Sequence, residues 1–127
     1  MRILVVEDNG ITGITLAEYL KSNGVKAEVE WATSGESALT KAAVLKPNVL
    51  ILDYFLPDMT GRTLLEELRA KGVDAPVVLL TAAGKGDFPQ IEKGPWNRVL
   101  RKPCPISDVI AAVKELWLNG VVERAER

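Results

Sequence analysis

The sequence predicts an α/β domain, an open parallel sheet with helices on both faces. Three observations carry that expectation. Runs of four apolar residues recur along the chain at even spacing. Apolar residues at helical spacing fill the gaps between them. The strand-then-helix order repeats about five times, and that order builds a parallel sheet wound in both directions.

The first run, Ile3-Leu4-Val5-Val6, contains no polar residue, which suits a strand covered on both faces. Gly13, Leu16, Ala17 and Leu20 then fall on one face of a helix, with Gly24 as a stop signal. Val29-Glu30-Trp31-Ala32 alternates, as a strand nearer a sheet edge does. Thr33-Ser34-Gly35-Glu36 reads as a capping box opening a helix through Leu45, which Pro47 ends. Val49-Leu50-Ile51-Leu52 and Val77-Val78-Leu79-Leu80 are two further buried strands. Between them Thr60 can cap a helix carrying Leu64, Leu65 and Leu68. From Thr81 to Val99 three glycines and two prolines leave room for a loop and a turn or two of helix. Val99-Leu100 is a short fifth strand. Ile106, Val109, Ile110, Val113, Leu116 and Trp117 form the clearest helical stripe, with Asn119-Gly120 expected to close it. One domain is expected over residues 1–120, followed by a charged tail over 121–127. No effector domain is expected in this chain.

Composition narrows the chemistry. A length of 127 residues, 47% apolar and 26% charged, is ordinary for one globular domain. Cys104 is the single cysteine, so no intrachain disulfide is possible and a reducing compartment is expected. Histidine is absent, which removes Ser-His-Asp and Cys-His catalysis and imidazole metal ligands. No apolar run approaches a membrane span, and Met1-Arg2 followed by four apolar residues and then acids is no signal peptide. With a net charge of −1, direct nucleic-acid binding is not expected. The expected location is the cytoplasm.

Ligands of open α/β sheets bind beyond the carboxyl ends of the strands. Those ends offer Glu7, Asp8 and Asn9 after the first run, Asp53 after Leu52, Thr81 after Leu80, and Arg101-Lys102-Pro103 after Leu100. Each alone has an ordinary explanation as a helix cap or a solvated loop residue. Together they put three carboxylates, a hydroxyl and a lysine on one rim. Crowded carboxylates raise one another's pKa, which a fold tolerates when a cation sits among them. Carboxylate and carbonyl oxygens make a hard site for Mg²⁺. A carboxylate beside that ion can attack phosphorus and form an aspartyl phosphate. Lys102 can balance the phosphoryl charge and Thr81 can hydrogen-bond it.

The set Val6-Glu7-Asp8-Asn9, Leu52-Asp53, Leu56-Pro57-Asp58-Met59-Thr60-Gly61, Leu80-Thr81-Ala82 and Lys102-Pro103 resembles the receiver domain of two-component response regulators. The match in order and spacing runs from Arg2 to about Leu118. The resemblance implies the flavodoxin-like fold with strand order 2-1-3-4-5 and here a shortened or irregular fourth helix. It implies that Asp53 is the phosphoacceptor, Asp8 a direct Mg²⁺ (or Mn²⁺) ligand, Glu7 one acting through metal-bound water, and the Phe55 carbonyl a further ligand. Thr81 resembles the switch hydroxyl and Lys102 the phosphoryl-binding lysine, with a cis peptide to Pro103. Pro57 and Gly61 resemble the residues that shape the loop after Asp53. The implied partners are a sensor histidine kinase or phosphotransfer protein, and a downstream effector protein or missing effector domain. The implied role is phosphorylation-controlled signalling rather than enzymatic turnover.

The departures cluster before the fifth strand. Val99 stands where the family usually has an aromatic switch residue, and Pro95-Trp96 replaces the common Gly-Ala. Gly84, Gly86, Pro89 and Gly94 break the helix that is normally three turns long. Readout is therefore expected to shift to the segment Gly84 to Trp96. A phosphorylation-independent docking receiver is the alternative. A Mg²⁺ phosphohydrolase is disfavoured because Phe55 stands where its second acid would be. A flavin carrier is disfavoured because Glu7-Asp8 would repel a phosphate. Phe55 and Ala83, two residues after Asp53 and Thr81, cannot orient a water with their side chains, so slow dephosphorylation is expected.

Overall fold

Each apolar run forms the strand expected of it. In the computed structural model, β1 (Arg2–Val6), β2 (Glu28–Ala32), β3 (Val49–Asp53), β4 (Val77–Thr81) and β5 (Arg98–Arg101) make one all-parallel sheet in the order β2-β1-β3-β4-β5. The helices are α1 (Gly10–Ser22), α2 (Gly35–Leu45), α3 (Gly61–Ala70), α4 (Phe88–Glu92) and α5 (Ile106–Glu126). The structure describes every residue except 23–26, 83, 85, 87 and 127, with the backbone alone described at 88 and 121–126. Gly24 and Ala83 thus lie outside the described residues.

Strand side chains alternate between the two faces and divide the core. Leu4, Val6, Leu50, Leu52, Val77 and Leu79 meet α2, α3 and Ile91 of α4 on one side. Ile3, Val5, Val49, Ile51, Val78 and Leu80 meet α1 and α5 on the other. The central strands are buried on both faces, which is why they read as unbroken apolar runs. β2 lies at an edge with Glu28 and Glu30 exposed, as its alternation foretold.

Three local expectations shift. The capping box of α2 lies one residue later: Ser34 is the N-cap and Ser37, not Glu36, reciprocates. Thr33 and Ser34 offer the same capping chemistry, so composition alone does not choose between them. α5 does not stop at Asn119-Gly120 but continues to Glu126. A glycine inside a helix costs about 1 kcal/mol, and Val121 to Glu126 include no proline to break the helix. Trp117 is half-buried against the α1–α5 cluster rather than enclosed by it. α4 is five residues long, the shortened helix that the glycines and prolines around it require.

Candidate functional site

Because every strand runs the same way, all five carboxyl ends open onto one rim. Glu7 follows β1 and is held by its backbone. Its N–H donates to the Ala32 carbonyl at 3.0 Å, and its carbonyl accepts from the Trp31 indole at 2.8 Å. Asp53 closes β3, and Lys102 follows β5, where its N–H donates to the Thr81 carbonyl at 2.8 Å. The Lys102–Pro103 peptide is cis.

These backbones bring the side chains together. Lys102 Nζ donates to Glu7 Oε2 at 2.7 Å and to Asp53 Oδ2 at 3.2 Å. Carboxylate oxygens of Glu7, Asp8 and Asp53 lie within 4.8 Å of one another. Glu7 and Asp53 keep only 2% and 6% of their surface, while Asp8 faces solvent. Thr81 is fully buried at the end of β4. Of the six expected site residues, the structure thus brings Glu7, Asp8, Asp53 and Lys102 into one pocket, with Thr81 at the end of the neighbouring strand β4. For the sixth, Phe55, the expected donor is the backbone carbonyl; its side chain is 50% exposed and packs edge-on against Tyr54.

Electrostatics in the pocket follow from burial. Loss of water raises the Glu7 carboxyl above its ordinary value; the Lys102 hydrogen bond opposes this, and the Asp53 charge reinforces it. For Lys102 burial disfavours the cation, but the Glu7 hydrogen bond and the charges of Asp53 and Glu7 outweigh it, so its pKa is raised. One ammonium therefore neutralises part of a site that holds three carboxylates. An all-oxygen donor set of this charge, open on the Asp8 side, suits a hard divalent cation such as Mg²⁺.

The loop after Asp53 is fixed from two directions. At Gly61 an added Cβ would lie 2.8 Å from the Asp53 carbonyl oxygen, so only glycine lets α3 start this close to β3. The Gly61 N–H donates to the Tyr54 carbonyl at 2.6 Å. Asp58 reaches across to α2, accepting from the N–H groups of Gly35 at 2.8 Å and Glu36 at 2.9 Å. Those two bonds hold its carboxyl below the ordinary carboxylate value. The supporting roles of Asp58 and Trp31 are not visible in the sequence, since each acts on a residue more than twenty positions away.

Comparison with known proteins agrees with this geometry. The sequence pattern of the family described as "Response regulator receiver domain" matches residues 3–114. The chain belongs to that family. It is 39% identical over 128 residues to the response regulator MprA of Mycobacterium avium, a match covering 91% of this chain and 50% of that protein. It is 32% identical over 114 residues to the transcriptional regulatory protein PdtaR of Mycobacterium tuberculosis, covering 89% and 55%. The chain thus spans about half the length of these relatives. Among solved structures, the signal receiver domain of a putative Luxo repressor protein from Vibrio parahaemolyticus superposes with a TM-score of 0.84 at 26% identity, covering 99% of this chain and 96% of that one. Receiver domains bind Mg²⁺ in an acidic pocket, and Glu7, Asp8 and Asp53 form such a pocket here. No helix among the described residues is long and apolar enough to cross a membrane.

Proposed function

We propose that this receiver domain, residues 1–120, accepts a phosphoryl group on Asp53 from a histidine kinase or phosphotransfer protein in a cytoplasmic two-component phosphorelay. One observation carries the reading: the Asp53 carboxylate lies within reach of Lys102 Nζ and of the oxygens of Glu7 and Asp8. An Asp53 oxygen attacks phosphorus in line, the new O–P bond forms as the donor's N–P bond breaks, and the donor imidazole leaves with the bonding pair. Asp8, Asp53 and the Phe55 carbonyl would hold Mg²⁺ or Mn²⁺ directly, with Glu7 acting through water. When bound, the ion neutralises negative charge on the phosphoryl oxygens. Lys102 gives up its Asp53 contact to bind a phosphoryl oxygen, and the Thr81 hydroxyl donates to another. The chain catalyses only its own phosphorylation and dephosphorylation, and its output passes to an effector protein or effector domain.

Intact-mass measurement tests this. Acetyl phosphate with Mg²⁺ should add one phosphate to the parent protein, none to Asp53→Asn and none in the presence of a chelator. Equal labelling of parent and variant would overturn the reading. Val99 at the usual switch position favours a second reading, in which the same fold docks its partner without phosphorylation.

A further inference from the structure

With Val99 on β5, the usual ring beside Thr81 is missing, yet two other rings pack against the same buried cluster as Val99. Side-chain alternation puts Tyr54 on the same sheet face as Leu52, and Thr81 on the same face as Leu79. Leu52 and Leu79 belong to one buried cluster, against which Tyr54, Trp96 and Val99 all pack. Asp53 pairs with Leu80 in the sheet register, so one step further along brings Tyr54 level with Thr81. Extended by that one step, the register places an aromatic residue opposite the threonine from the end of β3 instead of from β5.

Tyr54 does not stand alone. Its ring meets Trp96 edge to face, with centroids 6.3 Å apart and planes at 88°. The Trp96 indole N–H donates to the Ile91 carbonyl of α4 at 2.6 Å. The ring folds over Gly94, where an added Cβ would lie 2.2 Å from Nε1. The Arg62 guanidinium of α3 lies over the Trp96 ring, 5.8 Å from its centroid. Trp96 is thus fastened to α4 and α3 at once.

We infer that Tyr54 and Trp96 together replace the missing switch ring, with Tyr54 sensing Thr81 and Trp96 passing the movement to α4. The inference rests on Asp53 phosphorylation as proposed above. Tyr54 is covalently next to Asp53, and its carbonyl is pinned by Gly61, so its ring has more freedom to move than its backbone. Edge-to-face pairs have a preferred geometry, so displacement of the Tyr54 ring disfavours the present Trp96 position. A shift of Trp96 changes how α4 sits against Arg62 of α3. α4 is a five-residue helix with few internal hydrogen bonds, which makes it easy to reposition.

The test uses the full chain with Trp31→Phe and Trp117→Phe, which leaves Trp96 as the only tryptophan. Because Trp31 bonds the Glu7 carbonyl, this background must first take up phosphate from acetyl phosphate as the parent does. Beryllofluoride with Mg²⁺ should change Trp96 emission in this background and in Tyr54→Phe. Tyr54→Leu should lose most of that change, because one lost ring contact shifts a two-state ratio by about fivefold. Phosphorylation by acetyl phosphate is read in parallel by intact mass. A Tyr54→Leu protein that is labelled and keeps its full Trp96 response overturns the inference and leaves Asp53 as acceptor. An unlabelled parent overturns both. Hydrogen exchange on the unsubstituted chain gives a check that does not depend on the variant folding. Exchange of Ile91 to Trp96 should change with beryllofluoride, and unchanged exchange there also overturns the inference.

Discussion

Replacing Lys102 with methionine isolates the electrostatic strain of the pocket. The variant keeps a long side chain but leaves Glu7 and Asp53, both almost fully buried, without their shared cation. Removing one partner of a buried ion pair costs about 3–5 kcal/mol. The Lys102 side chain keeps 24% of its surface, so solvent screening brings the expected loss to ~2–3 kcal/mol. With an unfolding entropy of about 2.1 cal/mol/K per residue, a chain of 127 residues then melts ~7–11 °C lower. Two further responses identify the cause. The Glu7 carboxyl already titrates above its ordinary value of 4.5, and losing the Lys102 hydrogen bond raises it more. The folded variant then holds a proton that the unfolded chain releases, so its stability rises as the pH falls towards 4.5. The deficit against the parent should shrink as the pH falls from neutral towards 4.5. Mg²⁺ at ten times its Kd should restore about 1.4 kcal/mol. Differential scanning calorimetry with a chelator, then with Mg²⁺, across this pH range measures all three. Equal melting of parent and variant at neutral pH, or a deficit that ignores pH, would refute the charge-balance reasoning.

Asp8→Asn should lose the fluorescence or calorimetric response to Mg²⁺ yet melt no lower than the parent in chelator, because it removes one charge from a repelling cluster. Asp58→Asn should flatten the acid limb of the stability curve. The depressed carboxyl contributes stability above its ordinary value of 3.8, and that contribution is lost as the pH falls through its lower folded value. Circular dichroism during acid titration reads the difference, and superimposable acid limbs would show that the two backbone bonds from α2 do not persist in solution. Phe55→Asn should speed decay of the phosphorylated protein, followed by intact mass, because the amide can orient a water that the half-exposed phenyl cannot.

How far the sequence revealed this molecule depended on the range of each interaction. The strands were legible because β1, β3 and β4 are covered on both faces, so four apolar neighbours in a row are required there. The candidate site was legible because strand ends are marked by those runs: Glu7, Asp53 and Thr81 each adjoin one, and Lys102 stands two residues past the short pair Val99-Leu100. Short α4 followed from its glycines and prolines. Boundaries were harder. Thr33 and Ser34 cap alike, and the tertiary bonds from Asp58 to Gly35 and Glu36 accompany the later start. The Asn119-Gly120 stop failed because a single glycine is a modest penalty and the segment that follows holds no proline. Contacts across the sheet end left no local pattern at all. Nothing near Tyr54 in the chain foretells Trp96, and nothing near Trp31 foretells its bond to Glu7.

Chemical mapping of the phosphorylated residue tests the central claim most directly. Borohydride reduces an acyl phosphate to an alcohol, which converts a phosphorylated aspartate into homoserine. After acetyl phosphate and Mg²⁺, reduction and tandem mass spectrometry should find homoserine at position 53 and at no other acid, with none formed in chelator. Homoserine at Asp8, reduction at Glu7, or an unreduced Asp53 in protein that carries the added phosphate would contradict the account.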